Sequence, residues 1–120
     1  MKVPPKPNPK IIAGLYDLFA TTCKLFLAPT GMRYLVAIDL RSFVPTEKCY
    51  RCPHVTPPQA AVVTTLCLLH ADRNVVVKVA GANEELLPVA LNSSMTIQQG
   101  VDKLKEVGGK FLIGFWGMEF

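Results

Sequence analysis

The first apolar pattern in the chain has helical spacing. Asn8 followed by Pro9 is a favourable N-cap and first-turn pair, and the Ala-Pro-Thr-Gly run at 28–31 contains residues that end helices. Between these signals apolar residues recur every three or four positions, which is the period of one helix face. A first helix is therefore predicted, with its apolar face formed by Ile11, Leu15, Leu18, Thr22 and Phe26.

The next two segments differ in period. Apolar and polar residues alternate from Arg33 to Val44, which predicts a strand with one buried face. Thr56, Pro57 and Gln59 then form the sequence of a capping box, which predicts a helix to about Ala71. The four β-branched residues at 62–65 suit a strand instead, so a strand over 60–70 is the alternative.

The second half of the chain contains a hairpin pattern and another amphipathic helix. Two β-rich runs, 75–80 and 85–92, flank a short turn, and Pro88 places the second run at a sheet edge or a bulge. Residues 96–107 have helical apolar spacing and are followed by two glycines. A final strand is predicted over 110–116.

This element order predicts an α+β fold. After the first helix it corresponds to a ferredoxin-like β-α-β-β-α-β sandwich, so the chain is interpreted as that sandwich with an additional N-terminal helix. The alternative, with a strand at 60–70, is an antiparallel sheet with two helices. Residues 1–9 are rich in Pro and Lys and are predicted to be a flexible arm, and residues 10–120 a single α+β domain.

Composition narrows the class of protein. A chain of 120 residues has room for one core, and its 50% apolar content excludes a disordered protein and favours a homo-oligomer. The leader is proline-rich and charged, and no apolar run approaches the ~18 residues of a membrane span. We therefore expect an intracellular protein of the cytoplasm or nucleus, with four reduced cysteines and no transmembrane segment.

The formal net charge of +4 is compatible with binding to nucleic acid or another polyanion. Such binding would be of the phosphate-contacting, sequence-tolerant kind. The candidate polyanion-binding residues are Lys2, Lys6, Lys10, Arg33, Arg41, Lys48 and Arg51.

The most specific chemical pattern is C-x2-C followed by C-x2-H. Cys49 and Cys52 precede Cys67 and His70 with fourteen residues between the two pairs. Zinc takes four such ligands in a tetrahedron, two from a turn and two from one face of a helix. The sequence thus predicts a candidate zinc site that would tie the proline-rich loop to the next helix, with zinc as the only candidate cofactor.

Two resemblances to known families are local. The C-x2-C between the first predicted strand and helix resembles its placement in heavy-metal-associated domains, which implies copper binding, although Lys48 and Pro53 depart from that pattern. Residues 35–40 resemble the first-strand motif of RNA-recognition domains. The third-strand candidate at 86–91 lacks the aromatic residues on which such domains stack bases.

No phosphate-binding loop, nucleophile elbow or dinucleotide motif is present, so the interpretation leans away from an enzyme. The favoured hypothesis is a small non-enzymatic binding module that contacts nucleic acid or another polyanion. The alternative is a self-assembling structural or adaptor protein, such as a viral matrix-like subunit, that acts through protein–protein contacts. Candidate interface residues for either are the C-terminal Phe115, Trp116, Met118 and Phe120.

Overall fold

The structure is a computed structural model that describes residues 6–39, 48–80 and 85–107. These residues form three helices and three strands, an α+β arrangement, as predicted. The first predicted strand is seen over 34–38, while its continuation from 40 and the predicted final strand at 110–116 lie outside the described residues. In chain order the elements are α1 (Pro9–Phe26), β1 (Tyr34–Ile38), α2 (Pro57–Ala71), β2 (Val75–Ala80), β3 (Leu86–Pro88) and α3 (Ile97–Val107).

Side-chain caps explain where α2 begins and why 60–70 is helical. The Thr56 N–H donates to Gln59 Oε1 (2.9 Å), and the Gln59 N–H donates to Thr56 Oγ1 (3.4 Å), which completes the predicted capping box. Within the helix, the Thr65 hydroxyl donates to the Ala61 carbonyl at 2.8 Å. The strand alternative for 60–70, and with it the antiparallel sheet with two helices, is therefore wrong. Local capping outweighs the weak β preference of the four branched residues.

The sheet is mixed, with the strand order β1-β2-β3. β1 and β2 are parallel and directly paired, with Leu35 opposite Val76, and β3 lies antiparallel on the other side of β2. A ferredoxin-like sheet is instead built from split β-α-β units. Because β1-α2-β2 is an unsplit unit here, the ferredoxin-like arrangement is not confirmed. Pro88 is in β3, which pairs only with β2 among the described strands.

One face of the sheet carries the hydrophobic core. Ile38, Val77 and Val79 point from the strands toward α2 and α3, where Val62, Leu66 and Leu104 are fully buried. The two helices approach closely at Gly100, since a Cβ at that position would lie 2.5 Å from Val62 Cγ1. This glycine is therefore required by helix packing rather than by backbone conformation.

The opposite face of the sheet, which we call the open sheet face, remains apolar. Leu35, Val76 and Leu86 point to that side and are each more than 40% exposed in the described part of the chain. Parallel strands in globular proteins are usually covered on both faces. Within the described residues, helices cover one face of the sheet, although the apolar residues on both faces are typical of a sheet that is covered on both sides.

Candidate interaction surface and thiol sites

The first helix is attached to the domain through one face. Asn8 caps it by accepting the Lys10 N–H at 2.9 Å, and the helix begins at Pro9. Along its inner face, the Tyr16 hydroxyl accepts the Ile97 N–H at 3.0 Å, and the Phe19 ring meets the His70 ring edge-on with centroids 5.7 Å apart. Cys23 on the same face is 4% exposed. These contacts fix which side of α1 faces outward.

The outward side of α1 is strongly apolar, and we call it the outer stripe. From Ile11 to Leu25 its residues recur at alternating steps of four and three along the helix, the spacing of a coiled-coil seam, and Phe26 adjoins Leu25 at the end. The exposed fractions of its five large apolar members range from 59% for Leu15 to 77% for Phe26, so none of these is covered by the described part of the domain. The outer stripe consists of Ile11, Leu15, Leu18, Thr22, Leu25 and Phe26.

A buried carboxylate fixes the turn between α1 and β1. Asp72, at the C-cap of α2, is 7% exposed, and its Oδ1 accepts the backbone N–H groups of Thr30 (2.9 Å) and Gly31 (3.0 Å). The Thr30 hydroxyl also lies 2.8 Å from the Tyr34 hydroxyl. This network joins the end of α2 to the segment that follows α1, and so helps to hold the outer stripe in place.

The cysteines of the C-x2-C motif lie in a closed turn before α2. The Cys52 N–H donates to the Cys49 carbonyl (3.0 Å), and the Cys49 N–H donates to the Val55 carbonyl (2.8 Å). The two cysteines form an isolated antiparallel bridge pair. Arg51, with φ of 60°, adopts the left-handed conformation that closes the turn.

The other two predicted zinc ligands have different neighbours. Cys67 lies beside Cys23 at the α1–α2 contact, and burial, together with the Cys23 thiol, raises the pKa of Cys67 above its ordinary value. His70 packs against Phe19. Among residues 6–39, 48–80 and 85–107, no group of three or more His, Cys, Asp or Glu side chains is arranged to hold a metal ion. The four-ligand zinc site stays a prediction.

The described polyanion-binding candidates fall in three segments of the chain. Lys6 and Lys10 are at the start of α1, and Arg33 immediately precedes β1. Lys48 and Arg51 lie in the segment that precedes α2. Lys2 and Arg41 are outside the described residues, as are the predicted interface residues Phe115, Trp116, Met118 and Phe120.

A shallow depression of about 360 Å³ lies where β1 ends beside the first half of α2. Its walls are residues 36–38 of β1 and the following Asp39, with Ala60, Ala61, Thr64 and Thr65 opposite them. Asp39 contributes the charged side chain of this lining. The depression lies at the carboxyl end of β1, the end at which open α/β sheets bind ligands.

Sequence reasoning identified α1 but could not tell its inner face from its outer one. Tyr16, Phe19 and Cys23 form a second row at helical spacing, and this row is the one that packs inward. Since both rows have the same period, periodicity alone could not choose between them. Cys23 was missed as a neighbour of Cys67 for the same reason.

Comparisons with known proteins bear on the fold. No protein-family model matches the chain, and no curated protein matches it by sequence. The crystal structure of Deinococcus radiodurans RO (RSR) protein is similar over 82% of this chain, with a TM-score of 0.64 and 21% sequence identity. That match supports the small α+β fold.

The match covers most of this chain but a small share of the other one. This chain spans 19% of the RO (RSR) chain, so the shared fold is a part of that longer protein. In the described ranges, we find no helix with the length and apolar character needed to cross a membrane.

Proposed function

We propose that this chain is a non-enzymatic self-assembling domain in which α1 of one copy binds α1 of a second copy through the outer stripe. The observation that carries this proposal is the exposure of five large apolar side chains along one helix whose other face already anchors it. Those five are Ile11, Leu15, Leu18, Leu25 and Phe26.

The energetics favour covering this surface. Moving apolar area out of water contributes about 25 cal/mol per Å², or about 1.5–3 kcal/mol for a fully buried Leu or Ile side chain. Monomeric proteins rarely expose a large contiguous apolar patch, whereas scattered single residues are normal. The outer stripe is contiguous over almost the whole helix, because its members are three or four residues apart and therefore adjacent on the helix surface.

The spacing of the outer stripe favours a second copy as the partner. The alternating four- and three-residue steps are those of paired helices that interlock as knobs into holes. In an antiparallel pair centred on Leu18, Ile11 of one copy would lie opposite Leu25 of the other, and the two Leu18 side chains would meet. A two-fold contact of this kind is self-complementary and closes at two chains.

The fixed geometry of α1 lowers the cost of such pairing. Association is opposed by the loss of conformational freedom at the interface. Here the Asn8 cap, the Tyr16 hydrogen bond and the Phe19–His70 contact already hold the helix before it meets a partner. The preformed helix therefore does not have to fold during association.

The experiment is sedimentation velocity on the full chain over a range of concentrations, with two variants. Leu15→Glu/Leu18→Glu places two charges in the outer stripe. Ala13→Glu/Lys24→Glu places two glutamates at exposed positions of the same helix, outside the stripe. We expect wild type and the control to associate alike, and the stripe variant to raise the dissociation constant at least about 100-fold, since each buried Leu contributes about 1.5 kcal/mol or more.

Two results would contradict the proposal. One is a wild-type chain that stays monomeric at high micromolar concentration, and the other is an equal loss of association in both variants. Circular dichroism of each variant separates lost pairing from lost folding. Salt-dependent retention of a monomeric chain on heparin would favour the polyanion-binding hypothesis instead.

A further inference from the structure

The four cysteines fall into two pairs with different surroundings. Cys23 is buried and Cys67 is partly buried at the contact between α1 and α2, whereas Cys52 is exposed and Cys49 partly exposed in the turn before α2. Eleven residues separate Thr56, at the start of α2, from Cys67. That is about 16 Å along a helix axis.

The turn geometry brings the side chains of Cys49 and Cys52 together. Residues directly opposite each other in an antiparallel bridge have Cα atoms about 4.5–5.5 Å apart, with side chains on the same face. A disulfide requires a Cα separation of about 4.4–6.8 Å. The backbone of this turn therefore already lies within the range that a disulfide between these two residues needs.

Two features of the turn hold that geometry. Hydrogen bonds close it from both sides, from the Cys52 N–H to the Cys49 carbonyl and from the Val55 N–H to the Cys52 carbonyl (3.1 Å). Arg51 supplies the left-handed residue, and its guanidinium lies 5.3 Å from the centre of the exposed Tyr50 ring. Tyr50 and Arg51, the central residues of the turn, are exposed, as is Cys52, while Cys49 is partly exposed.

We propose that Cys49 and Cys52 form a reversible dithiol–disulfide site that reacts with low-molecular-weight disulfides of the glutathione class. The thiolate of Cys52, the more exposed cysteine, attacks one sulfur of the small disulfide and releases the first small thiol. The Cys49 thiolate then attacks the Cys52 sulfur of this mixed disulfide and releases the second. Two electrons pass from the protein to the small disulfide, and the protons lost by the two cysteines are taken up by the two released thiols.

The other cysteine pair serves as an internal comparison. Burial restricts reagent access to Cys23, and burial together with the Cys23 thiol raises the pKa of Cys67, which keeps the Cys67 thiol protonated at neutral pH. The thiolate is the reactive form. We therefore expect Cys49 and Cys52 to be alkylated at least about tenfold faster than Cys23 in the folded chain.

The test is oxidation of the folded full-length chain with oxidised glutathione, followed by blocking of free thiols, denaturation, trypsin digestion and mass spectrometry without reduction. Trypsin cleaves after Lys48, Arg51 and Arg73, so the proposed disulfide joins two separate peptides, 49–51 and 52–73. A disulfide between Cys52 and Cys67 would instead lie within peptide 52–73. One between Cys23 and Cys67 would join peptides 11–24 and 52–73.

We expect the 49–51 peptide linked to 52–73 as the main product, with Cys23 and Cys67 blocked as free thiols. In Cys49→Ser, the mixed disulfide of glutathione with Cys52 should persist because the resolving thiol is missing, while Cys67→Ser should still form the 49–52 link. The proposal is overturned if the 49–52 link does not form while Cys23–Cys67 does. One tightly held zinc per chain that protects Cys49, Cys52 and Cys67 alike would also overturn it. Neither result depends on whether α1 pairs with a second copy.

Discussion

Replacing Gly100 with alanine is expected to lower the free energy of unfolding by about 1–3 kcal/mol, the usual cost of overpacking a core. The added Cβ would lie 2.5 Å from Val62 Cγ1, and Val62, a residue of α2, is completely buried in the core. The clash opposes the gain of up to about 1 kcal/mol that alanine normally brings to a helix interior. Chemical denaturation followed by circular dichroism measures the difference.

The chain provides a matched control for this prediction. Gly14 also lies within a helix, but a Cβ there would meet nothing within 4 Å. Gly14→Ala should therefore leave stability unchanged or raise it by up to about 1 kcal/mol. The double variant Val62→Ala/Gly100→Ala should be more stable than the two single effects added together, because the alanine at 62 removes the clashing methyl groups. An equal gain from alanine at Gly14 and Gly100 would show that α2 and α3 do not approach as described.

Replacing Asp72 with alanine is expected to cost about 1.5–3 kcal/mol, the usual contribution of hydrogen bonds to a charged group. The Asp72 carboxylate accepts the backbone N–H groups of both Thr30 and Gly31, and the alanine side chain could accept neither. Asp72→Asn keeps an oxygen in the same place, so its cost should be smaller. The thermal midpoint and the denaturant midpoint should fall in the order wild type, Asn, Ala.

Asp17 is the matched control for Asp72. It lies on the exposed side of α1, so Asp17→Ala removes the same charge without removing the two backbone contacts. We expect its free energy of unfolding to remain within about 0.5 kcal/mol of wild type. If Asp72→Ala behaved like Asp17→Ala, the carboxylate would not be the link between the end of α2 and the α1–β1 turn. The position of the outer stripe would then need another explanation.

Two apolar surfaces of the described domain face outward in different places. The outer stripe lies on α1, and the open sheet face carries Leu35, Val76 and Leu86. The RO (RSR) chain contains this fold within about one-fifth of its length. A fold of this kind can therefore exist beside further polypeptide. The sedimentation experiment tests the outer stripe specifically, because both charged variants leave the open sheet face unchanged.

Most elements could be predicted from local sequence because their signals are local. Asn8–Pro9 and the Thr56–Gln59 capping box mark helix starts through hydrogen bonds that span two or three residues. The strand at 75–80 and the helix ending at Val107 were likewise given by period and composition. The signals that mark these elements come from residues close together in the sequence.

The order of strands was not accessible in the same way. A β-α-β-β-α-β succession is compatible with a third strand inserted between the first two or placed beyond the second, because element order along the chain does not specify hydrogen-bonded neighbours. The structure pairs Leu35 with Val76 directly and places β3 outside. The strand order is therefore determined by contacts between residues that are far apart in the sequence.

The candidate sites also differ in how far the sequence alone could predict them. The C-x2-C motif and its turn residues are visible in the sequence, because four consecutive residues form the turn. The sequence also contains both apolar rows of α1, but only the tertiary structure decides that Tyr16, Phe19 and Cys23 face the domain and the outer stripe faces away. It likewise places Cys67 beside Cys23. Local pattern fixes which segments are helices and turns, whereas burial depends on packing between residues far apart in the chain, which no local pattern encodes.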